Sequence, residues 1–403
     1  MALDNRDIFD LAIFGGDAAF ARPKSIGSLA QPAFERFMAY SRVFFDEHRY
    51  TNDGPSNRLL ESKLAEFHHT SSCVTFSSAF WGLALTMRCL ALPGRSEVVM
   101  PSMTYRRMGE IAALGGLIPR FCDIDPVTLG QTAETVAPCL NSDTALIVGV
   151  HPTVNCCDAP GLEKLSDRSG VPLLFDSVES TYETCEGRKV GCFGLAEGFS
   201  LHASKLINGF EGGYITTNDN ELANRLRRMR GFGFAAEDSV VELGINAKLN
   251  EVHAAMALAS LDELESLVKR NRARYDAYRW GLSAVRGISV REFDEHERCS
   301  FKNDLVELED SWPLPRRQTL QILHAERALA RPYYWPALHT KETAFEKRFE
   351  LLPVTEYFAE RLLLLPCGEQ MDNEDVMTIV HLLTFIANNG EAISTHLTSV
   401  NKS

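Results

Sequence analysis

Six short apolar runs, at residues 97–100, 118–122, 145–150, 173–176, 198–201 and 213–217, constrain this fold more than any other feature. Helical spacing fills residues 79–90, 106–114, 162–169 and 221–230 between or beside them. Strands that alternate with helices are joined by crossovers rather than hairpins, and they build a mostly parallel sheet wrapped by helices. The runs are continuous rather than alternating, as expected of strands covered on both faces. An α/β fold follows. With 403 residues there is enough chain for one large core plus a smaller domain.

Upstream, residues 58–69 carry apolar side chains at helical spacing (Leu59, Leu60, Leu64, Phe67) and lead into a strand begun by Val74-Thr75-Phe76. Residues 1–58 read as irregular, with Gly15-Gly16 and residues 51–55 as turn signals. A long helical stretch over residues 251–282 precedes Gly287. Beyond it come strands at 289–293 and 303–308, then helices at 317–327 and 373–388. Residues 394–403 are polar and read as a frayed end.

A net charge of −13 argues against nucleic-acid binding, which would need a basic patch. No run reads as long and apolar enough to cross a bilayer, and Met1-Ala2-Leu3-Asp4-Asn5-Arg6 lacks the basic-then-apolar order of a signal peptide. A cytoplasmic location is expected. Ten cysteines are scattered without a C-x-x-C pair, so neither a metal site nor a disulfide framework is expected. Cys156-Cys157 are adjacent, which disfavours both joint chelation and a mutual bond.

Chemistry concentrates downstream of the fourth run. Lys205 closes Phe199-Ser200-Leu201-His202-Ala203-Ser204-Lys205, and Glu211-Gly212-Gly213-Tyr214-Ile215 follows as a return strand. A lysine so placed can have its amine held in a pocket, where it condenses with an aldehyde. Asp176 ends the run Val171-Pro172-Leu173-Leu174-Phe175-Asp176. Such a carboxylate either caps the next turn or meets a ligand at the strand tip, where open α/β sheets bind. A pyridoxal phosphate (PLP) enzyme needs both groups: an amine for the aldehyde and an acid beside the pyridine nitrogen. The order Asp, Lys, Glu-Gly-Gly favours that reading.

These segments resemble the DegT/DnrJ/EryC1/StrS sugar aminotransferases, PLP enzymes of fold type I. The likeness runs from about residue 14 to 368 and is carried by residues 73–85, 101–105, 121–126, 176–180, 190–194, 199–213 and 246–255. Thr51-Asn52-Asp53-Gly54-Pro55, Gly231-Phe232-Gly233-Phe234 and Arg331-Pro332-Tyr333-Tyr334-Trp335-Pro336 look closest to the subgroup that aminates C4 of dTDP-4-keto-6-deoxyglucose. The resemblance implies a large domain with a mostly parallel, seven-stranded-type sheet and a smaller C-terminal α/β domain. It divides the chain into an arm with small-domain elements (1–58), a PLP-binding domain (59–265) and a small domain (266–403). It further implies a homodimer with shared active sites, an amino donor such as glutamate or glutamine, and a keto-sugar nucleotide as acceptor.

Residue by residue, the resemblance makes Lys205 the covalent amine and Asp176 the partner of the ring nitrogen. Ser77, Ser78 and Ala79 match the phosphate-binding start of a helix, though the family carries Gly-Thr where this chain has Ser77-Ser78. Ser pairs also simply cap helices. Tyr105 matches the aromatic that stacks on the ring, an alternative to a place in the core. Ser200 matches a phosphate contact. Asn246 matches a residue that reaches the neighbouring subunit's phosphate, and equally suits a helix cap. Glu179 stands where relatives carry Gln or His, close to the ring.

Departures gather on the acceptor side. Pro152-Thr153-Val154-Asn155 replaces an aromatic-glycine-arginine sequence, and Phe301 and Asn303 interrupt an Asn-Tyr-Gln-Tyr pattern. Arg106-Arg107 follow Tyr105 where relatives have small residues; two guanidiniums can clamp a diphosphate or carboxylate, or lie solvated on a helix. With Tyr333 they are the candidate substrate residues. The reading is a PLP-dependent aminotransferase of keto-sugar nucleotides. A PLP enzyme for a non-sugar ketone or an amino acid is the alternative, and a non-catalytic binder the third, disfavoured by the intact Asp176–Lys205 pair.

Overall fold

Continuous apolar runs become the interior of an eight-stranded sheet in the computed structural model, which describes residues 7–236 and 239–400. In chain order the strands are β1 (Ser72–Phe76), β2 (Glu97–Pro101), β3 (Ile118–Cys122), β4 (Thr144–Val150), β5 (Leu173–Asp176), β6 (Ala196–Ser200) and β7 (Gly213–Thr217). Five more strands follow: β8 (Ile288–Val290), β9 (Asp304–Leu308), β10 (Arg331–Pro332), β11 (Arg348–Phe349) and β12 (Leu362–Leu365). The spatial order of the large sheet is β11-β3-β2-β4-β5-β6-β7-β1. All neighbours are parallel except β7, which runs against both β6 and β1. Seven strands were expected. The eighth, β11, is only two residues long and returns from the C-terminal third to pair with β3, which no local periodicity announces.

Side chains of β4 and β5 are buried along their whole length, as two-sided coverage requires. Helices α1 (Phe34–Asp46), α2 (Pro55–His68), α3 (Ala79–Leu90), α4 (Met108–Leu114), α5 (Ala159–Ser169) and α6 (Asn220–Arg230) pack around this sheet and its approach. Their starts are legible chemistry. Ser78 accepts from the Trp81 N–H at α3, Asp158 from Gly161 at α5, and Asp219 from Glu221 and Leu222 at α6. Pro55 occupies the first turn of α2, whose free Ser56 and Asn57 N–H groups donate to the buried Glu251 carboxylate at 2.7 and 3.2 Å. Beyond Gly287 an antiparallel sheet of order β8-β9-β12-β10 forms a second layer.

Three expectations change. Residues 1–58 are not irregular throughout: α1 spans thirteen of them. Its aromatic residues Phe34 and Phe45 face outward, so the apolar stripe that marks a core helix is missing, and Ala33 offers no capping side chain. The stretch over 251–282 divides into α7 (Glu251–Asp262) and α8 (Leu264–Leu282). At the break, Asp262 binds Lys63 and Tyr40 while Glu263 accepts the Ala33 N–H, so tertiary contacts with α1 and α2 set the break.

The third change is at the C-terminal end, where α9 (Asn373–Val400) runs through residues expected to fray. Ile393 and Leu397 continue its buried face, and His396 lies edge-on to Phe9 and Phe14. Residues 401–403 lie outside the described residues. Asn373–Thr398 is long and apolar enough to cross a membrane by length and composition, contrary to expectation. Val376, Ile379, Leu382, Leu383 and Ile386 are nonetheless buried in the interior cluster shared with β9 and β12, the pattern of a core helix.

Gly213, at the start of β7, lies under the first residue of α3. A Cβ built there would run into the Ala79 backbone, which cannot rotate away. Gly213→Ala is expected to cost about 1–3 kcal/mol, seen as a lower thermal midpoint. An unchanged midpoint would show that α3 is not seated on β7 as described.

Candidate active site

Parallel strands end together, so residues distant in sequence meet at their C-terminal edge. Asp176 ends β5 between Val150 of β4 and Gly198 of β6. The backbone ties this edge together: His151 N–H donates to the Asp176 carbonyl at 3.1 Å, and Ser177 N–H to Gly198 at 2.9 Å. Ser200 ends β6 opposite Gly213. The chain then turns tightly, with Lys205 N–H donating to His202 at 2.8 Å and Ala203 to Phe210 at 2.9 Å. Phe210 (φ 62°) and Gly212 (φ 142°) carry the left-handed angles that close the loop. Lys205 thereby faces a cavity of about 400 Å³ whose wall also includes Ser78, Ala79, Tyr105, Arg106, Asp176, Glu179 and Ser200.

Charge in this cavity is arranged around two buried carboxylates. Burial pushes the Asp176 carboxyl up to about 6; the Val178 N–H bond and the Lys205 charge pull the other way, and Glu179 adds to the rise. The Val178 N–H, at 3.2 Å, is its one hydrogen-bond donor. Asp176 therefore lacks a cationic partner and gains most from a ligand that brings an N–H⁺. Glu179 is different. Burial would raise it, but Lys205 and Lys302 together hold it well below the usual carboxylate range. Lys205 Nζ donates to its Oε1, and Lys302 Nζ to its Oε2 at 2.7 Å.

The residues present fit PLP. An amine and an unpaired carboxylate share one cavity with the exposed ring of Tyr105, and the Ser78 hydroxyl stands at the start of α3. Lys205 and Asp176 would hold the ring between them, Tyr105 would cover a face, and Ser78, Ala79 and Ser200 would receive the phosphate. No group of three His, Cys, Asp or Glu side chains able to hold a metal occurs among the described residues.

Four expected residues lie off this wall. Ser77 turns its N–H to the Ala247 carbonyl at 2.7 Å. Arg107 is exposed and paired with Glu110 at 2.8 Å, as a solvated helix start would be. Tyr333 is fully buried, its hydroxyl accepting from Thr153 N–H at 3.3 Å; its neighbour Tyr334 reaches the cavity instead. Asn246 bridges to Gly231 and accepts from Lys248 Nζ at 2.7 Å, away from its own chain's cavity.

Sequence reasoning passed over His151, His202, Arg331, Tyr334 and Lys302. His151 stacks on Phe175 (ring centroids 5.2 Å), its Nε2 has no hydrogen-bond partner, and burial lowers it to about 3, so it is neutral. Only the ends of β4 and β10 bring it and Arg331 here. Lys302 lies between Phe301 and Asn303, and no local pattern marks it as different from a surface lysine.

The sequence profile of the DegT/DnrJ/EryC1/StrS aminotransferase family matches residues 34–384. A dTDP-4-amino-4,6-dideoxy-D-glucose transaminase of Shigella dysenteriae is 26% identical over 352 residues, 87% of this chain and 95% of that protein. Among solved structures, DesI, crystallised in the presence of its TDP-sugar product, superposes with a TM-score of 0.91 at 33% identity, covering 98% of this chain and all of that one. The aminotransferase TlmJ of Streptoalloteichus hindustanus superposes at 0.82 and 26% identity, covering 90% of this chain and 98% of that one.

Asp176 carries a stability signature in the cofactor-free protein. A carboxyl raised from 3.8 to about 6 favours the fold only while protonated, so its contribution is present below about pH 4 and lost as pH rises through 6. Asp176→Asn escapes that loss. Cofactor-free variant is expected to exceed wild type by up to about 3 kcal/mol at pH 8, with the gap closing near pH 4 in thermal melts. A gap independent of pH would contradict the burial of this acid.

Proposed function

The chain belongs to the DegT/DnrJ/EryC1/StrS aminotransferase family, and from that premise we propose that it moves an amino group from glutamate or glutamine to C4 of a dTDP-linked 4-keto-6-deoxyhexose. It is a PLP-dependent aminotransferase. The observation that carries the reading is the joint exposure of Lys205 and Asp176 to one cavity. The transaminase activity of the Shigella relative and the TDP-sugar product of DesI support the acceptor class.

Bound PLP supplies an aldehyde for amines and a ring that stabilises negative charge at the adjacent carbon. The protein does the rest. Asp176 would keep a proton on the ring nitrogen by holding a negative charge beside it. Lys205 would hold the aldehyde until the donor's amine replaces it, and its freed amine would then take the proton from the donor's Cα as general base. In the second half the same amine would deliver a proton to the acceptor carbon. Arg106 and Arg331, both on the cavity wall, suit the donor carboxylate and the acceptor diphosphate by charge. Arg107, turned outward, does not share that role.

A homodimer with shared sites is part of the proposal. Asn246 does not line its own cavity, and Phe34, Met38, Phe45, Tyr50, Phe210, Phe232 and Phe234 leave an apolar surface exposed. The arm (1–58), large domain (59–265) and small domain (266–403) are proposed to assemble each site, with Lys302 arriving from the small domain. The ten free thiols suit a reducing cytoplasm.

Purified protein given PLP, glutamate and dTDP-4-keto-6-deoxyglucose should release the 4-amino sugar nucleotide, followed by chromatography and mass spectrometry. Lys205→Arg keeps the charge beside Glu179 but should lower turnover by roughly a thousandfold or more. Wild-type protein that aminates other ketones and leaves this one untouched would overturn the acceptor assignment. For the shared site, chains carrying Lys205→Ala and chains carrying Asn246→Ala should regain activity when mixed, because half of each hybrid dimer's sites would be intact. Mixed chains no more active than either alone would exclude it.

A further inference from the structure

Glu179 is a buried carboxylate in contact with the reactive amine, and Lys302 is its second partner. Lys302 is 6% exposed at its side chain, against 13% for Glu179, and Glu179 is the one acceptor of its ammonium. The segment carrying it is held firmly. Ser300 donates through N–H and hydroxyl to Glu183, and Asn271 Nδ2 donates to the Ser300 carbonyl at 3.0 Å. Phe301 sits at φ 48°, a left-handed angle that is strained for a non-glycine residue. Its ring is wedged between Tyr275 and Phe293 with the Arg272 guanidinium 4.5 Å above it. Strain tolerated next to a buried lysine that meets one carboxylate suggests that the lysine's direction matters.

We propose that Lys302 is a positioning residue, the standing counter-ion of Glu179, and that the pair together sets the charge felt by the Lys205 amine. The proposal rests on the reading of this cavity as the PLP site and extends it. The electrostatics follow from the geometry. Glu179 alone would draw a proton onto Lys205 and keep the amine from acting as a nucleophile. Lys302 cancels that charge from the far oxygen, so the amine keeps an oriented hydrogen bond without the full pull of an anion. When Lys205 is engaged elsewhere, Glu179 still has a partner and is not left as a bare buried charge.

Other groups near Glu179 are Asp176 from the end of β5, Tyr333 and Tyr334 after β10, and His151, His202 and Arg331 on the cavity wall. They are common to all the variants below and do not distinguish them. Removing a cation and removing an anion must therefore move the site in opposite directions.

The test is the pH midpoint of the visible absorbance of bound PLP in wild type, Lys302→Met, Glu179→Gln and the double variant. Lys302→Met should move the midpoint up by about one pH unit, and Glu179→Gln down by a similar amount. The double variant should return close to wild type, as should Lys302→Arg. In cofactor-free protein the same order should appear in labelling of Lys205 by an amine-reactive reagent at pH 8, read by mass spectrometry. Labelling should be about tenfold slower in Lys302→Met and faster in Glu179→Gln, with surface lysines as internal reference. Midpoints that shift in the same direction, or a double variant displaced from wild type by as much as a single variant, would overturn the pair. Wild-type protein that takes up no PLP would instead remove the premise, and the pair with it.

Discussion

Everything at this site depends on an amine held against a largely buried carboxylate. Taking such charges out of water is costly, and attraction between them compensates only when the geometry is fixed on all sides. The fold meets that condition with three independent pieces of chain. The end of β5 and the turn after it carry Asp176 and Glu179, the loop between β6 and β7 carries Lys205, and the segment entering β9 carries Lys302. A change in any one of them alters the charge of the whole.

The two carboxylates have opposite fates because their neighbours differ. Asp176 has one backbone donor and no cation in direct contact, so burial dominates and its proton is held more tightly. Glu179 stands within reach of two ammonium groups, which outweigh the same burial. One acid is thus left without a cation in contact, while the other is already neutralised by protein. Environments that push two carboxylates apart in this way are how a single cavity separates a cofactor-binding acid from a positioning one.

Rigidity around the cavity comes from contacts far from the chemistry. Arg230, at the end of α6 and 5% exposed at its side chain, reaches Glu61 and the Thr75 carbonyl, both at 2.6 Å, and so ties α6 to α2 and β1. Glu251 seals the start of α2. These ties hold β1 and the first turn of α3 at a constant distance from β7, the return strand of the lysine loop. Preorganisation of this kind is what a phosphate and a ring plane require of a scaffold.

Much of this was legible in the chain itself. The strand runs, the helix caps at Ser78, Asp158 and Asp219, and the order Asp176, Lys205, Glu211-Gly212-Gly213 are local signals, because apolar continuity, capping oxygens and glycines act within a few residues. Hidden were features made by distance. Helix α1 carries outward aromatics that blur its periodicity, β11 is two residues returning from afar, and His151, Arg331 and Lys302 become neighbours of Lys205 only when strands from three regions end together. Residue order by itself determined a parallel α/β sheet and a lysine–aspartate pair suited to an aldehyde cofactor. Tertiary structure alone decided which charges surround that lysine, because electrostatic attraction depends on separation in space and burial, and neither is written in sequence spacing.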